Sequence, residues 1–170
     1  MQIAVAIDDL AFVAADAVAR PVNAELRALT PVIRRLEQAA GDGLLRQLHV
    51  HEPLAVGSAV VTPAGAVQAD LMIHAVVSTE TERVSRDGVR RATTSALQRA
   101  HDFGIAHLAI APFGLGAGNL DVEDAAQTMV AAIRAQVESR KAPEGITIIV
   151  ENDLELEAFR AAVDRVRRGR

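Results

Sequence analysis

The chain has 170 residues, half of them hydrophobic, and its 18 basic and 22 acidic side chains give a formal net charge of −4. This length predicts a single domain covering residues 1–170, and the negative charge disfavours nucleic acid as a partner. The absence of cysteine excludes disulfides, and the sequence carries neither a signal peptide nor an apolar run of about 18–20 residues, so we expect a cytoplasmic protein with no membrane partner.

Strand patterns dominate the first half of the chain. An apolar run over residues 3–7 predicts a strand that ends at two acids, Asp8 and Asp9. Apolar residues at helical spacing between positions 29 and 40 predict a helix, which Gly41 and Gly43 would end. Further strands are predicted over residues 17–22, 57–62 and 71–77, whereas residues 44–56 carry no clear pattern.

Helices and strands alternate in the second half. The order predicted is a helix over residues 89–100, a strand over 108–111, a helix over 122–137, a strand over 146–150 and a last helix. Ser85 is predicted to cap the first of these helices. Asn152 lies three residues before Glu155, which is typical of a capping box. Such alternation predicts an α/β fold, in which helices cover both faces of a largely parallel sheet.

The most informative motif is AIAPFGLGAGNLDVEDAA, residues 109–126, where a strand enters a glycine loop and a helix leaves it. Gly114, Gly116 and Gly118 would let backbone N–H groups approach a phosphate, with the helix N-terminus adding positive charge. The pattern is neither a P-loop nor the dinucleotide fingerprint. It also fits a simple turn whose glycines adopt positive φ angles. Both interpretations remain open from the motif alone.

Three stretches together resemble the macro domain, an ADP-ribose-binding module. They are IAVAIDDLAFVAADAVARPVNAEL, VVTPAGAVQADLMIHAVV and VRRATTSALQRAHDFGIAHLAIAPFGLGAGNLDVEDAA, and they follow one another at compatible spacing over nearly the whole chain. The resemblance implies a three-layer α/β/α fold with a mixed, largely parallel central sheet. It also implies binding of ADP-ribose or a similar adenine nucleotide, and the processing of ADP-ribose 1″-phosphate (Appr-1″-p) known in the family.

The resemblance assigns candidate ligand-binding residues in the first stretch. Asp9 matches the aspartate of the family's G-D-I motif, which accepts a hydrogen bond from the adenine amino group, and Leu10 would offer its backbone N–H to the ring. Asn23 matches the second asparagine of N-A-A-N, which faces the distal ribose. The first asparagine is replaced by Arg20, which could clamp a phosphate or fill the ribose pocket. Val13 is a candidate for the wall of the adenine slot.

The two phosphate loops of the family are preserved unequally. The second loop is retained, and it adds Gly114, Leu115, Gly116, Ala117 and Gly118 to the candidate ligand-binding residues. The glycine-rich first loop is replaced by residues 29–32, with the sequence LTPV, and Ile33 stands where several hydrolytic members have an aspartate. Glu151 occupies the position of an aromatic residue that commonly stacks on adenine.

Binding of ADP-ribose or a related adenine diphosphate nucleotide through the glycine loop is therefore the leading functional hypothesis. The alternatives are a degenerate macro fold that serves as an interaction or assembly module, and an ADP-ribosyl hydrolase. An ADP-ribosylated protein is a further candidate partner, and a homo-oligomer remains open. We assign no catalytic residue, cofactor or metal site, because His49 and His51 lack a third ligand at suitable spacing. His74 is interpreted as a packed, hydrogen-bonded histidine.

Overall fold

A single six-stranded sheet organises the chain in a computed structural model, which describes residues 2–48 and 52–169. The strands lie in the order β1-β6-β5-β2-β4-β3. The first five strands in this order are mutually parallel, and only the edge strand β3 runs antiparallel to its neighbour β4. The strands are β1 (Gln2–Ile7), β2 (Ala17–Asn23), β3 (Ala59–Pro63), β4 (Leu71–Ser78), β5 (His107–Ile110) and β6 (Gly145–Val150).

The helices form two layers, one on each face of the sheet. Side chains of successive strand residues point to opposite faces, so the strands β2 to β6 each contribute to two separate cores, whereas β1 contributes to one. One core packs the strands against α3, α4 and α5, and the other packs them against α1 and α2. The helices are α1 (Pro31–Ala40), α2 (Asp42–Gln47), α3 (Arg86–Asp102), α4 (Val122–Glu138) and α5 (Asp153–Arg168). The predicted three-layer α/β/α fold with a mixed, largely parallel sheet is confirmed.

Polar caps begin α3 and α5 at the predicted places. The Ser85 hydroxyl accepts a hydrogen bond from the Gly88 N–H at the start of α3. At the start of α5, the Asn152 side chain accepts from the Glu155 N–H at 3.0 Å and donates to the Glu155 carboxylate at 2.9 Å. Both predicted caps are therefore confirmed, and they satisfy N–H groups that the first helical turn leaves without a partner.

Two findings concern only the described residues. No helix among them is long and apolar enough to cross a membrane. Residues 2–48 and 52–169 also contain no group of three or more His, Asp or Glu side chains arranged to hold a metal ion. His49 and His51 lie outside the described residues.

Candidate functional site

A cavity of about 480 Å³ opens where β1, β5 and β6 end. Ligands of open α/β sheets bind beyond the carboxyl ends of the strands, so this is the expected place for a site. Helix α1 forms one long wall. The residues that line the cavity include Asp8, Asp9, Leu10, Phe12, Thr30, Pro31, Val32, Ile33, Arg35, Leu115, Gly116, Glu151 and Glu155.

Contacts at the start and in the middle of α1 show that the cavity extends along this helix. At its N-terminal end, a Cβ built on Gly116 would lie 3.5 Å from Cγ2 of Thr30, so the glycine loop abuts the start of the helix. One turn further along, Arg35 Nη2 donates to Glu151 Oε1 at 2.9 Å. The cavity therefore has a glycine-loop end beside Thr30 and an acidic end beside Arg35.

The glycine loop needs the conformation that only glycine adopts without strain. Gly114, Gly116 and Gly118 have φ angles of 86°, 132° and 78°. The loop is closed by the Leu120 N–H, which donates to the Gly114 carbonyl at 3.1 Å, and by the Asn119 N–H, which donates to the Gly116 carbonyl. Successive N–H groups in turns of this kind can form an anion-binding concavity, and this loop leads into the N-terminus of α4.

Several backbone N–H groups of the loop have no hydrogen-bond partner in the described part of the chain. Within residues 2–48 and 52–169, the N–H groups of Leu115, Gly116, Ala117 and Gly118 have no hydrogen-bond acceptor. Leu115 and Gly116 line the cavity directly, whereas Gly114, Ala117 and Gly118 shape the loop behind them. The three glycines adopt the positive φ angles that a turn requires, and the phosphate-binding interpretation of the motif stays a prediction.

The replaced first loop supplies fewer donors. Thr30 caps α1 by accepting from the Ile33 N–H at 3.4 Å, and Pro31 at the first helical position has no N–H. Residues 30–33 all line the cavity, and three of the four have apolar side chains. What this wall still provides is the positive end of the α1 dipole.

Four carboxylates surround the other end of the cavity. Ile7 pairs with Val150 in the parallel register of β1 and β6, so the residues after these strands, Asp8 and Glu151, are brought side by side. Asp9 is exposed, and its Oδ1 accepts from the Ala11 N–H at 2.9 Å. Burial raises the pKa of the Glu155 carboxyl above its usual value.

An exposed aromatic ring lines the acidic end. Phe12 is 69% exposed, although large aromatic side chains usually lie in the core. Sequence reasoning placed Val13 in this slot, but Phe12 lines the cavity and Val13 does not. The sequence signal for this residue was a phenylalanine, one of four in the chain, close to Asp9 in the loop after β1.

Arg20 lies in the core rather than in the cavity. Its side chain is 0% exposed. The guanidinium donates to His74 Nδ1 at 2.8 Å, to Glu37 Oε1 at 2.5 Å and to the Leu26 carbonyl at 2.9 Å. Burial lowers the pKa of Arg20, and the hydrogen bond and charge of Glu37 oppose this effect. Arg20 is therefore absent from the cavity lining, to which Asp9 and part of the glycine loop belong.

Asn23 also lies away from the cavity lining. Its Oδ1 accepts from the N–H groups of Glu25 and Arg27, each at 3.0 Å. The Asn23 carbonyl accepts from the N–H of Leu26, which has a φ of 63°. The side chain thus stabilises the tight turn between β2 and α1 in the manner of an Asx turn.

His74 connects Arg20 to the edge of the sheet. Because Arg20 Nε donates to Nδ1, the imidazole is neutral and carries its proton on Nε2, which donates to the Thr62 hydroxyl at 2.8 Å. Burial, with a smaller effect of the Arg20 charge, lowers the pKa of His74 to about 3. The prediction of a packed, hydrogen-bonded histidine is confirmed.

This depressed pKa makes the stability of the protein depend on pH. His74 takes up a proton more readily in the unfolded chain than in the folded one, so its contribution is complete above pH ~6.5 and is lost as the pH falls toward ~3. We expect the free energy of unfolding to fall by up to about 1.4 kcal/mol for each pH unit within this window. Urea titrations from pH 7 to pH 4 measure the slope. A slope as steep in His74→Gln would contradict this assignment.

Comparison with known proteins gives the family. The family model described as Macro domain matches residues 19–129, more than half of the chain. The chain belongs to the macro domain family. An uncharacterised protein of Mycobacterium tuberculosis is 32% identical over 151 residues, which cover 87% of this chain and 41% of that protein. This macro domain therefore spans about two fifths of the length of that curated relative.

Solved structures agree with the architecture. A variant of the Oceanobacillus iheyensis macrodomain solved with ADPR superposes with a TM-score of 0.85 at 14% identity, over 96% of this chain and 92% of that one. The Trypanosoma brucei macrodomain in complex with ADP gives a TM-score of 0.84 at 18% identity, over 95% of this chain and 68% of that one. At these identities the likeness establishes the fold.

Proposed function

We propose that this macro domain binds ADP-ribose or a related adenine diphosphate nucleotide in the cavity at the ends of β1, β5 and β6. The observation that carries the proposal is the glycine loop, where Leu115 and Gly116 line the cavity beside the start of α1 and have backbone N–H groups without an acceptor among the described residues. The solved relatives with ADPR and ADP support it. The proposal extends to ADP-ribosylated proteins as partners and to a cytoplasmic location.

The charges of the cavity determine the orientation of such a ligand. A diphosphate would be repelled by Asp8, Asp9 and Glu151, and would be attracted by the glycine-loop N–H groups and the positive end of α1. We therefore place the phosphates beside Gly116 and Thr30. The base then occupies the acidic end of the cavity.

The acidic end suits a purine that carries an amino group. The carboxylate of Asp9 can accept from an exocyclic amine, and Phe12 offers an exposed ring for stacking. Stacking of a base on an aromatic side chain contributes about 1–3 kcal/mol. Phe12 would thus take the role that the resemblance gives to an aromatic residue at the position of Glu151.

The Arg35–Glu151 ion pair lies at this acidic end. Both side chains are at least half exposed, so the pair contributes no more than about 1 kcal/mol. A ligand can therefore separate the two groups at little cost. Arg35 would then be free to approach the ribose or the proximal phosphate from the side of α1.

The two alternative functions have less support from these contacts. A hydrolase needs polar groups around the distal ribose, but Asn23 Oδ1 is engaged by two backbone N–H groups and Ile33 is buried. An interaction module without a ligand gives no reason for glycine-loop donors at a cavity of this size. We therefore keep nucleotide binding as the proposed function.

Substitution of Asp9 tests the proposed orientation. We expect Asp9→Ala to lower the affinity for ADP-ribose at least about tenfold, because a hydrogen bond to a charged group contributes about 1.5–3 kcal/mol. Asp8→Ala, the matched neighbour, should change the affinity by less than about threefold. Calorimetric titration of the three proteins measures both effects. Equal affinity of Asp9→Ala and the wild type would show that Asp9 does not bind the base.

A further inference from the structure

We infer that Arg20 is a positioning residue, which holds the cavity-facing first turn of α1 in place through Glu37 and Leu26. The inference rests on the proposed function for its effect on ligand affinity. Its effect on the backbone requires no ligand. Arg20 itself lies outside the cavity, so its action is indirect.

The three hydrogen bonds of Arg20 run from the sheet to the α1 side of the cavity. Nε is held by His74 of β4, while the two terminal nitrogens donate to Glu37 of α1 and to the Leu26 carbonyl. The planar guanidinium fixes the directions of these bonds, which a lysine cannot reproduce. Arg20 therefore sets the distance and orientation of α1 relative to β2.

Glu37 passes this constraint to the segment that precedes α1. Its Oε1 accepts from Arg20 and also from the Ala28 N–H at 2.9 Å. Leu26, whose carbonyl Arg20 holds, has a φ of 63°, a conformation unfavourable for a residue with a side chain. Residues 26–28 are thus held at both ends, and Leu26 keeps its strained conformation.

The constrained segment leads directly into the wall of the cavity. Thr30 follows it by two residues, and residues 30–33 line the glycine-loop end, where Thr30 abuts Gly116. Loss of the Arg20 contacts would allow the first turn of α1 to move against the glycine loop. The acidic end would be affected less, because Asp9 and Phe12 belong to the loop after β1.

Arg20→Lys tests this inference, and Arg91→Lys is the matched control. Arg91 also donates three hydrogen bonds, to Asp87, Glu82 and the Val56 carbonyl, but it lies outside the cavity lining and does not contact α1.

In the ligand-free protein, we expect hydrogen exchange of the Ala28 and Ile33 amides to be at least about tenfold faster in Arg20→Lys and unchanged in Arg91→Lys. Should Arg20→Lys fail to fold, Glu37→Gln, which removes the charge but keeps an acceptor, takes its place. Unchanged exchange in a folded variant would overturn the inference.

The second readout is the ratio of the affinities for ADP and adenosine. We expect Arg20→Lys to weaken ADP binding about tenfold and to change adenosine binding by less than about twofold, so that the ratio falls. In Arg91→Lys the ratio should stay at the wild-type value. A parallel loss of both affinities, or an unchanged ratio, would overturn the role of Arg20 at the phosphate end. Failure of the wild type to bind either compound would instead reject the proposed function, and the exchange experiment would still decide the role of Arg20.

Discussion

Replacement of Glu37 by alanine is expected to lower the free energy of unfolding by about 3–5 kcal/mol, because it leaves the charge of Arg20 buried without its carboxylate. Arg20 is fully buried and Glu37 is 13% exposed, so water cannot readily take the place of the lost partner. The Ala28 N–H also loses its acceptor. Urea denaturation at pH 7 measures the change.

The surface pair on α4 provides the control for this prediction. Arg134 Nε and Glu138 Oε1 lie 2.8 Å apart, and the two side chains are 36% and 64% exposed, so Glu138→Ala should cost no more than about 1 kcal/mol. The two substitutions remove the same side chain from an ion pair with arginine. A loss for Glu37→Ala as small as that for Glu138→Ala would mean that the buried network does not stabilise the fold.

Substitution of Gly114 by alanine is expected to cost about 2–5 kcal/mol. A side chain at its φ of 86° is strained by about 1–2 kcal/mol, and the added Cβ would lie 2.7 Å from Cγ2 of Val89. Val89 is fully buried in the core, so it can move only by disturbing that packing, at a further cost of about 1–3 kcal/mol. Thermal and urea unfolding measure the change.

Gly118 separates the two causes in the same loop. It has a φ of 78°, but a Cβ there would meet no atom within 4 Å, so Gly118→Ala should show the strain alone, about 1–2 kcal/mol. Comparable losses for the two variants would mean that the contact with Val89 carries no cost. The loop would then be more mobile than the packing around Gly114 indicates.

The fold could be predicted from the sequence where a segment carried a clear local pattern. The apolar strand β6 and the capping motif of α5 were both identified, because periodicity and caps are local signals. The exception is α2, whose six residues are too few to display helical periodicity and follow directly on Gly41. The family resemblance then supplied the layer order, which is confirmed by the match of residues 19–129 and by the sheet topology.

The candidate site was less predictable, because side-chain direction depends on distant partners. Arg20 was interpreted as a ligand-binding residue, yet it shares a face of β2 with the buried Val18 and Val22, and its partner Glu37 lies 17 residues away. An arginine inside a strand that is otherwise buried was the available sign of an internal ion pair. Phe12 was not predicted, because the family resemblance implies the stacking aromatic residue at the position of Glu151, at the end of a different strand.

Calorimetric titration of the wild-type macro domain with ADP-ribose, with AMP for comparison, tests the central claim most directly. We predict micromolar affinity for ADP-ribose, equivalent to about 8 kcal/mol, and weaker binding of AMP, which offers one phosphate less to the glycine loop. No heat and no thermal shift at millimolar ADP-ribose would contradict the account, and would favour an interaction module that retains the macro fold without the ligand.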